Sequence, residues 1–385
     1  MLKTVFLAVL LVALRATAQD TLTFATYNVS MEAENYVRRG TPGISQAILQ
    51  QQLATDTNSQ IRNIASIIKS VRPDVLLLNE FDYINEPDSG VGAFIQHYLN
   101  TGPDAINYPY FFYATVNTGQ PSPYDLDNNG KATGVGSDAW GFGNYPGQYG
   151  MAVLSRYPFD TTIRTFQRFL WKDMPGALIT KKADSTNWYT SEAWAQMPLS
   201  SKSHWDIPVK VGNTTIHILA SHPTPPTFDG PEDRNGKRNH DEIRFWNDYI
   251  SGNAKYIYDD RGKHGGLSAK QRFVILGDQN ASADEGDAIR EGIASLLRNP
   301  LVNTQPVPAS EGGAASKPNN PNARFHTAFW GMRADYVLPS YYGFKVIGSG
   351  VWWPVAGQPG AQWVAKRESS SDHRLVWVKA VVSDK

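Results

Sequence analysis

A short apolar segment near residue 275 ends in an aspartate and an asparagine that could do chemistry. The segment is Phe273-Val-Ile-Leu-Gly-Asp278-Gln-Asn280, and its four leading apolar residues, two of them β-branched, predict a buried strand. Alternate residues at the end of a strand point the same way, so Asp278 and Asn280 are expected to face one cleft. Asp and Asn are also common turn residues, and this segment alone does not decide between a cleft and a turn.

Polar side chains of the same kind lie beside the ends of the other predicted strands. Apolar, β-branched segments predict strands at 22–27, 75–78, 149–154, 214–220, 333–338 and 375–382. The polar residues at or near the strand ends are Asn28, Glu80, His222, Asp278, Asn280, Asp335, Asp372 and His373. Placing so many polar and ionisable groups at sheet edges costs free energy unless they share a role. The pattern therefore predicts strands that converge on one polar cleft.

The residue types in this set favour phosphate chemistry assisted by a hard cation. Carboxylates with an asparagine suit Mg²⁺, Mn²⁺ or Ca²⁺, and a charged imidazole can stabilise negative charge that develops on phosphoryl oxygens. A water molecule polarised by an aspartate or by a metal can serve as the nucleophile. The chain contains no cysteine, which excludes disulfides, thiolate catalysis and cysteine-ligated metals.

The organisation of the chain favours one large domain over residues 19–385. The sequence has 385 residues, of which 41% are hydrophobic, and strands recur along it without an obvious linker. Helical spacing of apolar residues predicts a helix from Asn58 to Val71, and a second helix is predicted to begin near His240. Composition rich in Gly, Pro, Asn and Ser predicts long loops near 119–147, 223–242 and 305–322, the last of them mobile.

The N-terminus predicts export. A short basic start, an apolar run and Ala16-Thr-Ala18 are typical of a signal peptide over residues 1–18, cleaved near Ala18, so we expect an extracellular or periplasmic protein. The chain has 36 basic and 36 acidic residues, and loss of Lys3 and Arg15 would leave 34 against 36, a net charge of −2. This balance argues against strong non-specific binding to duplex nucleic acid without excluding nucleic acid as a substrate. We also expect a monomer without stable membrane insertion.

Seven short segments, taken in order, resemble the endonuclease/exonuclease/phosphatase superfamily, whose fold is deoxyribonuclease I-like. The matching segments span residues 26–28, 73–80, 150–158, 220–222, 276–280, 334–338 and 371–373 and together extend over nearly the whole mature chain. Each segment alone is weakly specific, whereas the ordered set is highly specific. The resemblance implies an α+β fold, a four-layer α/β/β/α sandwich in which two packed mixed β-sheets are flanked by helices.

The resemblance also implies roles for individual residues. Glu80 resembles the metal-binding glutamate, with Asn28 and Asp372 beside it, and Mg²⁺ is the expected ion, with Mn²⁺ and Ca²⁺ as alternatives. The catalytic set that the resemblance implies is Asp278, which would polarise water, Asn280, which would orient the phosphate, the phosphate-contacting His222 and His373, and Asp335, which would orient His373. The chain departs from the family where Ser30 replaces an acidic residue, which puts a second metal position in doubt.

Two further polar clusters have both a functional and a structural interpretation. Asp125, Asp127 and Asn129 match the first half of a calcium-binding loop, although Gly136 stands where a bidentate Glu is usual, and a polar turn is the alternative. The segment after His222 carries Arg234, Arg238, His240 and Arg244, which could bind an anionic part of the substrate. The alternative for this segment is a solvated loop with internal salt bridges.

These observations predict a secreted, metal-dependent phosphoesterase that hydrolyses a phosphodiester by attack of water. The substrate could be nucleic acid, a phospholipid head group or a phosphorylated sugar. Two alternatives remain open from the sequence: a phosphomonoesterase of the same superfamily, and a non-catalytic, calcium-stabilised binding module.

Overall fold

The computed structural model describes residues 20–38 and 40–383, so the predicted signal peptide lies outside the described residues. The strands are β1 (Thr21–Met31), β2 (Val75–Phe81), β3 (Tyr110–Tyr113), β4 (Met151–Ser155), β5 (Arg164–Thr165), β6 (His204–Val211), β7 (Thr214–Ser221), β8 (Arg272–Asp278), β9 (Asp335–Pro339), β10 (Phe344–Val351) and β11 (Val376–Val382). The α-helices are α1 (Ala47–Leu53), α2 (Ser59–Val71), α3 (Val91–Phe94), α4 (Ser191–Gln196), α5 (Arg234–Ile250), α6 (Glu291–Arg298) and α7 (Glu311–Ser316). Short 3₁₀ or π turns occur at Ala33–Asn35, Pro87–Ser89, Ile95–Leu99, Trp171–Asp173, Ala254–Tyr256, Ala323–Phe325, Ala361–Val364 and Arg367–Ser369.

The strands form two mixed sheets. The first has the order β10-β11-β1-β2-β4-β3 and the second has the order β5-β6-β7-β8-β9. In the first sheet β1 runs parallel to β2, and in the second β7 runs parallel to β8. β8 is antiparallel to β9 and Asp278 lies opposite Asp335, so two acidic residues that are 57 positions apart in the chain become neighbours. The predicted four-layer arrangement is confirmed.

The apolar run of β8 is buried on both of its faces. Val274 and Leu276 belong to the core between the two sheets, whereas Phe273 and Ile275 pack into the core beneath the helices that cover the second sheet. This division follows from the alternation of side chains along a strand. Asp278 continues the series of Val274 and Leu276, and its side chain therefore belongs to the side of the strand that faces the first sheet.

Helices cover the outer face of each sheet. Amphipathic α2 buries Ile61, Ile64 and Ile68 in the core of the first sheet, and its N-cap Asn58 accepts a hydrogen bond from the Ile61 N–H. On the other side, α5 and α6 pack against the second sheet. The helix predicted from Asn58 to Val71 thus forms nearly as expected, because its apolar spacing and its cap agree.

Two of the predicted loops contain helices. The second predicted helix begins at Arg234 and not near His240, because the polar residues of its first turns face other parts of the chain: Gly236 and Asn239 are buried. The segment 305–322 includes α7, which Ser310 caps by accepting a hydrogen bond from the Gly313 N–H. The segment 119–147 contains no regular helix or strand within the described chain, as predicted, yet Asp138 in it is buried.

Candidate active site

The carboxylate of Asp278 is the centre of the polar cleft. Its Oδ2 accepts a hydrogen bond from Asn28 Nδ2 at 3.1 Å and lies 3.5 Å from Nε2 of His222 and 3.5 Å from Nε2 of His373. The residue is 1% exposed, and this burial raises its pKa to about 7. A carboxyl group with a pKa near neutrality can take up and release a proton at physiological pH, as a general base must.

The backbone at Gly277 brings the ends of two strands together. Its φ is 155°, and a Cβ at this position would lie 2.0 Å from the carbonyl oxygen of Ser221, the last residue of β7. A larger residue would push β7 and β8 apart. Because His222 follows Ser221 directly, this close approach also brings His222 to Asp278. From the first sheet, Asn79 Oδ1 accepts a hydrogen bond from the Asp278 N–H at 3.1 Å.

A buried carboxylate orients the second histidine. His373 Nδ1 lies 2.9 Å from Asp335 Oδ2, which also accepts a hydrogen bond from Thr327 Oγ1 at 2.6 Å. Burial lowers the pKa of His373, but Asp335 and Asp278 outweigh it, and the pKa lies well above the usual value. His373 is therefore protonated at neutral pH, with Nδ1–H donating to Asp335 and Nε2–H directed at Asp278.

The first histidine has the opposite protonation state. Burial, followed by the positive charges of Lys202 and His373, lowers the pKa of His222 well below its usual value. Its Nδ1 is buried and has no hydrogen-bond partner in the described chain. His222 is thus neutral at pH 7, so of the two histidines only His373 supplies a positive charge to the cleft.

The residues of the expected metal site face one another on the side of the first sheet. Burial, and after it the carboxylate of Asp372, raises the pKa of Glu80, and Asn28 donates a side-chain hydrogen bond to it. Ligand atoms of Glu80, His222 and Asp278 lie within 4.8 Å of one another. Oxygen-rich donors of this kind, together with the Asn28 amide, fit a hard divalent cation. The donor set therefore suits the Mg²⁺ expected from the sequence.

Several residues of the cleft hold a left-handed backbone that side chains rarely adopt. Ser30 has φ 46°, Glu80 has φ 54° and Asn280 has φ 51°. Such conformations cost about 1–3 kcal/mol each and persist where the surrounding structure requires them. Ser30, the position at which the chain departs from the family pattern, donates a hydrogen bond to Asp372 Oδ1 at 3.1 Å. Its hydroxyl thus holds a predicted metal ligand in place.

Asn280 is anchored to both neighbouring strand ends. Its N–H donates to Asp278 Oδ1 at 2.9 Å, and its side-chain Nδ2 donates to the carbonyl oxygen of Pro223 at 3.1 Å. The residue is 8% exposed. These contacts fix the Asn280 amide beside Asp278. The role of Asn280 in orienting a phosphate stays a prediction.

Buried carboxyl groups make the stability of the metal-free protein depend on pH. Burial raises the pKa of Asp278 to about 7, and burial likewise raises the pKa of Asp82 to about 7. The native state therefore binds more protons than the unfolded state between about pH 4 and 7, and stability falls as pH rises through this window, by up to about 1.4 kcal/mol per pH unit for each group. We expect the midpoint of thermal unfolding in EDTA to fall from pH 5 to pH 7.5, and D278N to show a shallower fall. An unfolding midpoint that rises with pH in EDTA would contradict this assignment.

Sequence reasoning missed Lys202, which lies in the cleft. Lys202 is 4% exposed, and no hydrogen bond or ion pair involves its ammonium group within residues 20–38 and 40–383. Burial lowers its pKa, and nearby carboxylates that include Glu80 and Asp278 act in the opposite direction. The ammonium group of a buried lysine without a protein partner can bind an anion that enters the cleft. No apolar pattern surrounds Lys202, and nothing in the local sequence distinguishes it from a surface lysine.

All four residues predicted to bind substrate lie on one helix, α5: Arg234, Arg238, His240 and Arg244. Arg238 donates three hydrogen bonds to backbone carbonyls, two of them in the segment 198–199 and one at Trp140. Arg234 pairs with Glu232, and Arg244 pairs with Asp248 at 3.3 Å. His240 lies 3.0 Å from Asp241. These side chains therefore have partners within the protein, as expected for a segment with internal salt bridges. Their contact with substrate stays a prediction that the geometry does not support.

Helix α5 instead supports the cleft through its buried polar residues. Glu242 accepts a hydrogen bond from the Ser201 N–H at 2.6 Å and from the Thr224 N–H at 2.6 Å. Asn239 Nδ2 donates to the carbonyl oxygens of Thr224 and Gln279. Glu242 thus connects the segment that carries Lys202 to the segment that follows His222.

We expect E242Q to lower kcat by about tenfold and to destabilise the fold by about 1–3 kcal/mol. The amide retains one acceptor oxygen, so one of the two buried N–H groups at Ser201 and Thr224 would face an NH₂ group and lose its partner. The measurement is steady-state kinetics beside denaturant unfolding, with the exposed-site variant E192Q as the control. Unchanged activity and stability in E242Q would show that α5 does not position the cleft.

The predicted calcium loop brings together three carboxylates. Asp125, Asp127 and Asp138 offer oxygens within 4.8 Å of one another, whereas Asn129 Nδ2 donates to Asp127. The Asp125 and Asp138 carboxylates also accept backbone N–H groups, for example that of Leu126 at 2.8 Å from Asp138. These bonds are typical of a polar turn, and calcium binding here stays a prediction.

Comparison with models of protein families shows to which family the chain belongs. The model described as the Endonuclease/Exonuclease/phosphatase family matches residues 25–373. The chain belongs to this family. The chain is accordingly a metal-dependent hydrolase that acts on phosphate ester bonds. None of the curated proteins matches it.

Similar folds occur among solved structures of this family at low sequence identity. An endonuclease/exonuclease/phosphatase from Beutenbergia cavernae DSM 12333 is 16% identical, with a TM-score of 0.51, over 94% of this chain and 72% of that chain. Sphingomyelinase C from Streptomyces griseocarneus is 16% identical with a TM-score of 0.44, over 94% and 99%. The human Nocturnin catalytic domain is 14% identical with a TM-score of 0.44, over 95% and 98%. At these identities the likeness to the Beutenbergia structure establishes the fold alone.

The helices of the described chain were compared with the length and apolarity that a membrane-spanning helix requires. None of those within residues 20–38 and 40–383 is both long and apolar enough to cross a bilayer.

Proposed function

We propose that the protein is a secreted phosphodiesterase, formed by one domain over residues 19–385 after cleavage near Ala18. The observation that supports it best is the arrangement around Asp278. One buried carboxylate with a pKa of about 7 lies 3.5 Å from a neutral and 3.5 Å from a charged imidazole. This arrangement places a proton acceptor beside a cation, and attack of water on a phosphate uses both kinds of group. Export rests on the N-terminal sequence.

In the proposed reaction some residues of the chain transfer a proton, and others stabilise the negative charge of the phosphate. Asp278 accepts a proton from the attacking water. His373, held charged by Asp335, and the ammonium of Lys202 stabilise negative charge on the phosphoryl oxygens. Asn280 holds a further phosphoryl oxygen through the N–H of its amide that Pro223 does not use.

Neutral His222 completes the proposed set. Its Nε2 and Nδ1 can carry one proton between them, so it can donate a hydrogen bond to a phosphoryl oxygen without adding charge. The residues that would hold the metal are Glu80, Asn28 and Asp372, and Mg²⁺ is the proposed ion. A divalent cation bound there would act as a Lewis acid toward the phosphate.

The test is a hydrolysis screen of the protein without its first 18 residues. Bis-p-nitrophenyl phosphate, DNA and the monoester p-nitrophenyl phosphate are each offered with Mg²⁺, Mn²⁺, Ca²⁺ or EDTA. The proposal expects diester hydrolysis that EDTA abolishes and D278N greatly reduces. Turnover of the monoester alone would favour the phosphomonoesterase alternative, and no turnover of any ester would reject the proposal.

A further inference from the structure

A small cavity of about 140 Å³ lies on the helix side of the second sheet, apart from the catalytic cleft. Side chains alternate along β9, so Tyr336 packs into the core beneath the helices, whereas Asp335 belongs to the same side as Val337, in the core between the sheets. Tyr336 lines the cavity, and none of the residues assigned to catalysis or metal binding does. The cavity is therefore separate from the site proposed for the phosphate.

The side chain of Arg333 lines this cavity and has no acceptor within the described protein. Its guanidinium carbon lies over the Tyr336 ring, 4.4 Å from the ring centre. The terminal nitrogen Nη2 is buried without a partner, and no hydrogen bond or ion pair involves this guanidinium within residues 20–38 and 40–383. Burial lowers the pKa of Arg333, and Tyr336 and Asp284 act in the opposite direction. A guanidinium has five N–H donors, so an anion in the cavity would supply the acceptors that it lacks.

Two carboxylates at the cavity wall limit the charge of such an anion. Both oxygens of Glu285 are engaged, because Oε1 accepts a hydrogen bond from Asn320 Nδ2 at 2.6 Å and Oε2 lies 2.9 Å from His326 Nε2. Asp284 is exposed and forms no ion pair with Arg333 in the described chain. These negative charges oppose a dianion such as phosphate about twice as strongly as they oppose a singly charged anion. The cavity therefore suits a monoanion.

The rest of the cavity wall is largely apolar. Its apolar members are Ala283, Leu297, Val307 and Phe325. A planar carboxylate matches the fork of a guanidinium through two parallel hydrogen bonds. An alkyl tail on that carboxylate would be removed from water by the apolar wall. A charged head and a short apolar tail thus both have a complement in the cavity.

We propose that this cavity binds a small monocarboxylate with a short apolar tail, whose carboxylate pairs with Arg333. The site is additional to the catalytic cleft, and the inference does not depend on the proposed phosphodiesterase function. The wall segment 282–285 follows Asn280 closely in the chain. A bound carboxylate would therefore stabilise the segment that leaves the catalytic strand end.

Calorimetry with three ligands of nearly the same shape tests the inference. The ligands are butyrate, its neutral counterpart butyramide and the cation butylammonium. We expect butyrate to bind with a Kd of about 1 mM, and butyramide to bind at least about tenfold more weakly because it lacks the charge. Failure of butyrate to bind would overturn the inference. Preference for butylammonium would overturn it as well, because the wall carboxylates would then select the ligand.

Two arginine variants assign the binding to the cavity. R333M should lose butyrate binding by at least about tenfold, and R333K should bind with intermediate affinity. R324M is the matched control, because Arg324 also lies over a ring, that of Phe325 at 5.2 Å, but is exposed and does not line the cavity. If R333M does not fold, A283L narrows the cavity with Arg333 in place. Wild-type affinity in R333M, or in A283L where R333M does not fold, would overturn the inference.

Thermal unfolding gives a second readout that needs no catalysis. At 0.1 M butyrate, against NaCl of the same ionic strength, we expect the unfolding midpoint to rise by about 3–5 °C in the wild type and R324M and to stay unchanged in R333M. Equal destabilisation of R333M and D284N, with no effect of butyrate on the wild type, would overturn the inference. Arg333 would then pair with Asp284 in solution, and the cavity would have no ligand of its own.

Discussion

D278N is expected to lower kcat on a diester by about 10³-fold or more, because the amide cannot accept a proton from water. The amide is nearly isosteric with the carboxylate and can still accept the Asn280 N–H through its oxygen. Its NH₂ group would face Asn28 Nδ2, so some loss of order is expected on that side. The loss in kcat should nevertheless greatly exceed any effect on folding.

The measurement for D278N is kcat and KM at saturating Mg²⁺, beside circular dichroism and thermal unfolding in EDTA. D287N is the matched control, because Asp287 is an exposed aspartate nine residues further along the same segment. Removal of a buried ionisable carboxyl group should leave the D278N fold as stable at pH 7 as the wild type or more so. A folded D278N variant with more than a tenth of wild-type activity would show that another group accepts the proton.

The polar residues at strand ends could be predicted because strands impose a simple geometry. Side chains alternate along β8, so Asp278 shares the inward side of Val274 and Leu276, and antiparallel pairing then sets it opposite Asp335. The apolar pattern of β8 therefore already indicated on which side of the strand Asp278 lies and that its side chain is buried. The family resemblance added which strand ends meet, and the structure agrees for this set.

Lys202 and the first turns of helix α5 could not be predicted, because the contacts that position them come from segments distant in sequence. Lys202 is buried by segments distant in sequence: the N–H of Asn117 donates to its carbonyl oxygen at 2.9 Å, and Glu242 holds the adjacent Ser201. The first turns of α5 have polar sequences that are typical of a loop. Their polar groups satisfy the backbone of other segments, for example Asn239 with Gln279, and no local pattern encodes such contacts.

The protonation state of His222, unlike the pairing of His373 with Asp335, depends on contacts that the sequence does not reveal. Asp335 at 2.9 Å keeps His373 charged, whereas His222 has no carboxylate on its buried Nδ1. The family resemblance implied two phosphate-contacting histidines and gave Asp335 as the residue that orients His373. The structure distinguishes the two histidines, and it places Lys202 near them as a candidate for a second positive charge.

K202M is expected to lower kcat by about 10²–10³-fold while the fold becomes no less stable. Methionine fills a similar volume but removes the ammonium charge that would stabilise the phosphoryl oxygens in the transition state. Because the buried ammonium group has no hydrogen-bond or ion-pair partner in the described chain, its removal relieves a desolvation cost. Activity and stability should therefore change in opposite directions, which a merely structural role for Lys202 would not produce.

The assay for K202M compares kcat, KM and the unfolding midpoint with those of K131M, in which an exposed lysine is replaced. K202R should retain more activity than K202M, because a positive charge remains even though the larger guanidinium fits less well. If K202M were fully active, the positive charge beside the phosphate would come from His373 alone. If K202M lost activity and stability together, Lys202 would support the segment 200–203 and not the reaction.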